Sequence, residues 1–331
     1  KLFLLLFATS VSFFSFRVES KEYETFVYLR GNAEEKKAVD NFTLMTWNVC
    51  ALPFGLSTTF GGVRPAKERV NEIVDFIASH DPDIICFQEA HDLSFSYELF
   101  EKLKEVYSHF VLDIGRISFT QLNSGLLVIS KLPISNFYFK EFEFDHMSFQ
   151  KAIKKGFFAF KVSSNHQELA HVITTHLQPY KTEIDALIRL HELQLIVDAL
   201  RENTSPGFKI VCGDLNIDRI PPKEFGRERI EAEFFDPLYP PNSLPIPTTA
   251  TNYLTYAWHA KNPVPKEYFE AESDESIDYC IIWNAKNHAN ISAELVTAYY
   301  NRLPKRSLSD HHAILTTFRL NPVKLSVSDS L

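Results

Sequence analysis

Hydrophobic and polar positions along this chain switch repeatedly between a period of two and a period near 3.6, and the switches predict its elements. Thr43–Val49 reads as extended, and Arg64–Ser79 sets Val70, Ile73, Val74 and Ile77 on one helical face. Asp83–Gln88 is a short apolar strand. Ser96–Tyr107 returns to helical spacing, with Leu99, Phe100, Leu103, Val106 and Tyr107 on one face, and Leu126–Ser130 is a strand closed by Lys131-Leu132-Pro133. Strands follow at Phe137–Phe144, Phe157–Val162 and Leu169–Thr175, then a long helix from about Glu183 to Glu202 and a strand at Lys209–Cys212. Ile277–Trp283 and Ala313–Phe318 are the last strands. Alternation of this kind describes a layered α/β domain.

Outside the pattern, Lys1 precedes an apolar run from Leu2 to about Phe14 and then a polar stretch. That is the form of a secretory signal peptide over residues 1–20, cleaved after Ser20. The run is shorter than the roughly 20 residues that span a bilayer. A secreted or exported protein is expected, with an uncleaved, membrane-associated leader as the alternative. Residues 21–41 are charged and aperiodic and read as a polar connector, which places the catalytic domain over 42–320 and a tail at 321–331. Pro237–Pro265, rich in Pro, Thr, Asn and Tyr, reads as a long loop, a kind of segment usually tied to function in a compact domain.

Composition narrows the partners. With 331 residues, 45% of them hydrophobic, the chain can bury a large core. Its net charge of -8 and the lack of any long Lys/Arg block weigh against tight nucleic-acid binding, which depends on neutralising phosphates. Cys50, Cys86, Cys212 and Cys280 lie in or at the ends of apolar strands and are expected as buried thiols.

Chemistry gathers at the strand ends. Glu89 follows the strand Asp83–Gln88, where a carboxylate suits Mg²⁺, a cation that takes one or two carboxylates and keeps places for water and phosphate. Asp214 and Asn216 in G-D-L-N are two residues apart, so an extended backbone would aim both at one ligand. His176 ends an apolar strand, and His311 follows Asp310 just before the last one. Two imidazoles can divide proton acceptance from phosphate stabilisation, because an unperturbed value near 6.5 makes both states accessible. Asp278, opening another strand, is the candidate that orients His311 and fixes its tautomer.

The ordered blocks T-W-N-V (Asn48), F-Q-E (Glu89), S-G-L-L-V-I-S-K, T-H-L-Q (His176), G-D-L-N (Asp214, Asn216), I-D-Y (Asp278) and S-D-H (Asp310, His311) resemble the endonuclease/exonuclease/phosphatase superfamily. The likeness runs from about Phe42 to Phe318. Within it, N-S-G-L-L-V-I-S-K-L-P-I, K-K-G-F-F-A-F-K-V, H-V-I-T-T-H-L-Q, I-R-L-H-E-L-Q-L, T-Y-A-W-H-A-K-N and S-I-D-Y-C-I-I-W-N-A-K-N-H-A resemble secreted bacterial-type neutral sphingomyelinases.

The resemblance implies a DNase I-like α/β fold, a four-layer sandwich of two mostly antiparallel sheets flanked by helices. It implies Mg²⁺ dependence, with Mn²⁺ as another suitable ion, and hydrolysis of sphingomyelin, or a related choline lipid at a bilayer surface, to ceramide and phosphocholine. A monomer is expected. Carried over residue by residue, it puts Asn48, Glu89 and Asp310 at the metal and makes His311 the base. His176 becomes phosphate stabiliser or acid, Asp214 and Asn216 meet water and phosphate, and Asp278 orients.

Two rivals share the blocks, a DNase I-like endonuclease and a phospholipase C acting on other choline phospholipids. Cys50 stands where apurinic-type nucleases carry an acid, and S-I-D-Y-C replaces the W-C-D-R of inositol polyphosphate phosphatases. The segment before S-D-H is short: only Tyr299-Tyr300 and Asn301–Arg306 occupy the place of a long aromatic hairpin. Phe137, Phe139, Phe142, Phe144 and Phe149 could give another apolar edge, but alternating Phe in a strand is more often core, and core packing is the expectation. Tyr253, Tyr256 and Trp258 offer rings to a choline cation.

Overall fold

A computed structural model describes residues 20–22, 24–118, 121–143, 152–180, 182–204, 207–217, 277–283, 289–296 and 307–321. The leader over residues 1–19, Phe144, Phe149, the Pro237–Pro265 loop with its three aromatic residues, Tyr299-Tyr300, residues 301–306 and most of the tail lie outside them.

Two sheets carry the fold. The larger has eight strands, in spatial order β1 (Ser20–Glu22), β2 (Val27–Arg30), β5 (His109–Leu112), β6 (Leu127–Ser130), β4 (Ile84–Gln88), β3 (Asn41–Asn48), β13 (Ala313–Leu320) and β12 (Ala289–Val296). The smaller has five: β11 (Asp278–Trp283), β10 (Phe208–Asp214), β9 (Gln167–His176), β8 (Gly156–Ser164) and β7 (Ile134–Glu141). Among the strands of the described residues, only β3–β4 and β9–β10 pair in parallel, so both sheets are mostly antiparallel, as expected. The helices are α1 (Leu56–Phe60), α2 (Ala66–His80), α3 (Leu93–Leu103) and α4 (Glu183–Glu202).

Strand alternation explains the layering. Along β3, Phe42 and Leu44 turn inward to a core shared with Phe158, Phe160, Val172, Ile210 and Cys212 of the smaller sheet. Met45 and Trp47 turn outward and pack with Val70, Ile73 and Ile77 of α2 and with Leu99 of α3. On the other side, Val211 and Ile281 pack against Leu193, Ile196 and Leu200 of α4. The layers therefore run helix, sheet, sheet, helix, each sheet burying both faces. All four cysteines are buried free thiols.

Several sequence expectations are corrected. Residues 21–41, read as a connector, contain β2, whose Val27 and Leu29 are buried while Tyr28 and Arg30 are only half so. The alternation was too short to stand out among the charges around it, and pairing with β5 supplies what it lacks. The helix expected over Ser96–Tyr107 is α3, which begins at Leu93, because the Asp92 side chain accepts from Ser94 N and Phe95 N, and ends at Leu103, leaving Val106 exposed. The strands β5 and β12 had no counterpart in the sequence pattern. β5 is four apolar residues buried on both faces, and β12 is a sheet edge with polar residues outward. Among the described residues, the alternating Phe positions are core, as expected. Phe142 is buried against the α4 layer, and Phe137 and Phe139 pack on the inter-sheet core.

Candidate active site

Three neighbouring strands of each sheet end at one place. In the smaller sheet, Asp214 is in register with His176 on one side and Asp278 on the other, so three adjacent strands present three polar side chains in a row. Gly213 makes this approach feasible: a Cβ there would lie 1.9 Å from Thr175 O, and its φ of 138° is open to glycine. In the larger sheet, Asn48 pairs with Gln88, so Glu89 emerges one residue on, in a left-handed conformation with φ 57°. β13 runs antiparallel to β3, with Ile314 opposite Thr46, which brings Asp310 and His311 to the Asn48 end.

Side chains then connect the two sheets. Asn48 Nδ2 donates to Glu89 Oε1 and to Asp214 Oδ2, both at 3.0 Å. His311 Nδ1 lies 2.8 Å from Asp278 Oδ2, and its Nε2 is 3.7 Å from Asp214 Oδ2. His176 Nε2 approaches the same Asp214 oxygen at 3.6 Å. Ligand atoms of Asp214, Asp278 and His311 lie within 4.8 Å of one another, close enough to share a cation.

Asn216 departs from the expected geometry. β10 stops at Asp214, and Asn216 takes φ 53°, so the two side chains are not aligned by an extended backbone. Instead Asn216 N donates to Asp214 Oδ1 at 2.9 Å and Asn216 Nδ2 to Leu177 O at 3.1 Å, a turn that leaves Asn216 beside the cluster.

The electrostatics are those of a crowded acidic site. Burial pushes Asp214 up to about 7, and neighbouring Asp278 adds to the rise. Burial likewise raises Asp310 to about 6, with Glu89 adding to it against the opposing pull of His311. The two histidines diverge. For His311 burial opposes the charged form, but Asp278, Asp214 and Asp310 together hold the ring well above its usual range. For His176 burial lowers the value, and Lys155, His91 and His311 lower it further. The donor set fits a hard divalent cation: its oxygens come from carboxylates and an amide, and two of those carboxyls are raised by burial and by neighbouring negative charge, from Asp278 on Asp214 and from Glu89 on Asp310, which a cation would offset.

Residues 45–311 match the Endonuclease/Exonuclease/phosphatase family. The chain belongs to this family. Sphingomyelin phosphodiesterase 3 of Homo sapiens is 30% identical to it over 162 residues, 41% of this chain and 24% of the relative. Sphingomyelin phosphodiesterase 5 of Danio rerio is 27% identical over 164 residues, 43% of this chain and 30% of the relative. The chain thus spans less than a third of the length of these two proteins. Phospholipase C of Staphylococcus aureus is 25% identical over 297 residues, 82% of each chain.

Among solved structures, SmcL superposes with a TM-score of 0.65 at 21% identity, over 84% of this chain and 99% of SmcL. A beta toxin variant from Staphylococcus aureus with bound magnesium ions gives 0.63 at 19%, over 83% and 99%. Danio rerio TDP2 complexed with a single-strand DNA product gives 0.61 at 16%, over 84% and 98%. At these identities the likeness establishes the family's fold.

Residues that sequence reasoning passed over support this family site from behind. Arg69 is fully buried and donates to the carbonyls of Val49 (2.9 Å), Cys50 (2.6 Å) and Leu308, tying the Asn48 strand to the S-D-H turn. Ser309 Oγ donates to Asn48 O at 2.7 Å, and Trp47 Nε1 to His311 O at 3.2 Å. Lys155 is buried and donates to the carbonyls of His176 (3.2 Å) and Leu177 (2.7 Å). His91 sits 3.2 Å from both Asn123 oxygens, and burial lowers it to about 4. One signal was legible in advance: Arg69 lies next to Val70 on the apolar side of α2, where a charge needs buried partners.

Proposed function

We propose that this chain is a divalent-metal-dependent phosphodiesterase that hydrolyses sphingomyelin to ceramide and phosphocholine, as a monomer exported by its N-terminal leader. The observation that carries the reading is the Asp278–His311 pair, which links the two sheets beside Asp214, with His176 3.6 Å from the same carboxylate. Relatives named for sphingomyelin cleavage and phospholipase C activity support the substrate class. The leader pattern supports export, and no helix among the described residues is long and apolar enough to cross a membrane.

Glu89 and Asp310, with Asn48 between neighbouring carboxylates, are the residues that would hold the metal, and Mg²⁺ suits their oxygen donors. Once bound, the ion supplies positive charge to the phosphate oxygens as negative charge develops on them. Asp278 accepts from His311 Nδ1, which fixes the tautomer and leaves Nε2 as the atom that takes a proton from water. Asp214, 3.7 Å from that nitrogen, orients the water. His176, kept neutral by burial and by Lys155 beside it, donates an N–H to a phosphate oxygen; this favours the stabiliser role over the acid. Asn216 adds an amide beside Asp214.

Turnover of the purified chain with Mg²⁺ against EDTA, on sphingomyelin, phosphatidylcholine, lyso-lipids and plasmid DNA, tests the reading. Phosphocholine release from sphingomyelin, abolished by EDTA, is expected. Nicking of DNA with no phosphocholine release overturns the lipid substrate in favour of an endonuclease, and preference for phosphatidylcholine makes it a broader phospholipase C.

A further inference from the structure

Of the ten large apolar side chains exposed among the described residues, six lie on two segments that leave the strands of the site. Phe54, Leu56 and Phe60 are 69%, 37% and 57% exposed and follow Asn48 on the way to α2. Tyr180, Ile184 and Leu187 are 62%, 53% and 52% exposed and follow His176 into the first turns of α4. The two segments leave strand ends that meet at one atom, because Asn48 and His176 lie 3.0 and 3.6 Å from Asp214 Oδ2. At no more than about 3.6 Å per residue, Phe54 lies within about 22 Å of Asn48 and Tyr180 within about 14 Å of His176. Gly61, next to Phe60, packs on the site, since a Cβ there would lie 3.1 Å from Asp310 Oδ2, and Leu177 O, three residues before Tyr180, accepts from Asn216 Nδ2 at 3.1 Å.

Neither group is a loose end. Phe54 (φ 57°) and Tyr180 (φ 75°) hold left-handed backbone, which bulky residues disfavour. Neighbours keep them there. Ser57 Oγ donates to Cys50 O at 2.7 Å and accepts from Leu52 N at 3.0 Å, while buried Arg189 donates to the carbonyls of Gln178 (3.0 Å) and Tyr180 (2.6 Å). A disfavoured backbone fixed so that it presents rings to solvent points to use.

Charge selects what the rings would meet. Residues 49–63 contain no charged side chain, and residues 177–187 carry Lys181 against Glu183 and Asp185. A polyanion or an anionic membrane finds no basic cluster in either segment, and the chain's net charge of -8 repels it. A zwitterionic choline-headed bilayer accepts apolar insertion, offers cations to Phe54 and Tyr180, and tolerates the exposed Glu183 beside Ile184. We infer that segments 54–60 and 180–187 together form a docking surface for a choline-headed lipid bilayer, seating the site over the headgroups. This rests on the lipid-cleaving reading, and its test is kept separate from turnover.

The full chain is co-sedimented in EDTA with vesicles of phosphatidylcholine and sphingomyelin in equal parts. The variant carrying Phe54→Ser, Phe60→Ser and Ile184→Ser should lose at least tenfold in vesicle binding. With Mg²⁺, it should hydrolyse a water-soluble choline phosphodiester within twofold of the unmodified chain. Equal vesicle binding by the triple variant, or no binding by the unmodified chain, overturns the surface. Phe60→Trp gives a second readout: its emission should shift to the blue when vesicles are added, and an unchanged spectrum overturns the surface as well. If the unmodified chain cleaves no choline phosphodiester, the proposed activity falls, while the binding result still decides the docking.

Discussion

His176 at the end of β9 and His311 ahead of β13 lie 3.6 and 3.7 Å from the same oxygen of Asp214, yet they hold protons in opposite ways. Both are buried, and burial alone would make both neutral. The difference comes from which charged groups stand behind each ring. His311 backs onto Asp278, which donates nothing and pulls a proton onto the imidazole. His176 has Lys155 and His91 as neighbours, which resist a further positive charge. Identical side chains around one carboxylate thus differ in proton affinity, one a strongly basic ring held by Asp278 and the other a neutral one, which in the proposed reading act as base and hydrogen-bond donor.

The largest test of this contrast is His311→Ala, which should lower kcat by about 10³-fold or more while the melting temperature changes little, read from phosphocholine release and a thermal melt. Asp278→Asn should cost about 10²-fold to 10³-fold in kcat. It also removes the chief group that raises His311, so the acid limb of the pH–rate profile moves to lower pH. An unmoved limb would detach Asp278 from the proton of His311.

A third test reads the carboxylates without activity. The folded-state values of Asp214 and Asp310, about 7 and about 6, lie above their ordinary 3.8. The metal-free fold therefore binds more protons than the unfolded chain, and ionising these groups between about pH 4 and pH 7 removes stability. A divalent cation held by Asp310 must displace its proton, and its charge also favours the ionised form of nearby Asp214, so saturating Mg²⁺ should raise the melting temperature more at pH 8 than at pH 5.5. An equal rise at both values would place the ion elsewhere. The smallest effect is expected from Arg189→Lys, which keeps the charge but loses the planar fork behind Gln178 and Tyr180. Denaturant melts should show a loss of about 1–3 kcal/mol.

Much of the fold was legible because its elements announce themselves locally. α4 occupies Glu183–Glu202 as its periodicity predicts, with Thr182 and Asp185 forming a capping box at its start. β2 and β12 were not legible, since each depends on a partner to make a short or half-polar run into a strand. In the site, the eight predicted residues gather at the strand ends, but Asn216 arrives through a turn. Arg69 and Lys155 went unread because their importance lies in main-chain carbonyls far along the chain, such as Leu308 and Leu177.

By itself the sequence determined which residue types stand at the ends of which apolar runs, and in what order, because alternation and helical spacing are properties of neighbours. From the ordered blocks it also supplied the family and the kind of chemistry. Only the tertiary structure decided which histidine faces which carboxylate, how charge settles the proton on each, and which apolar side chains stay outside. Those outcomes depend on residues distant in the chain, such as Asp278 and His311 or Asn48 and Asp214, meeting where water is excluded and each charge feels its neighbours strongly.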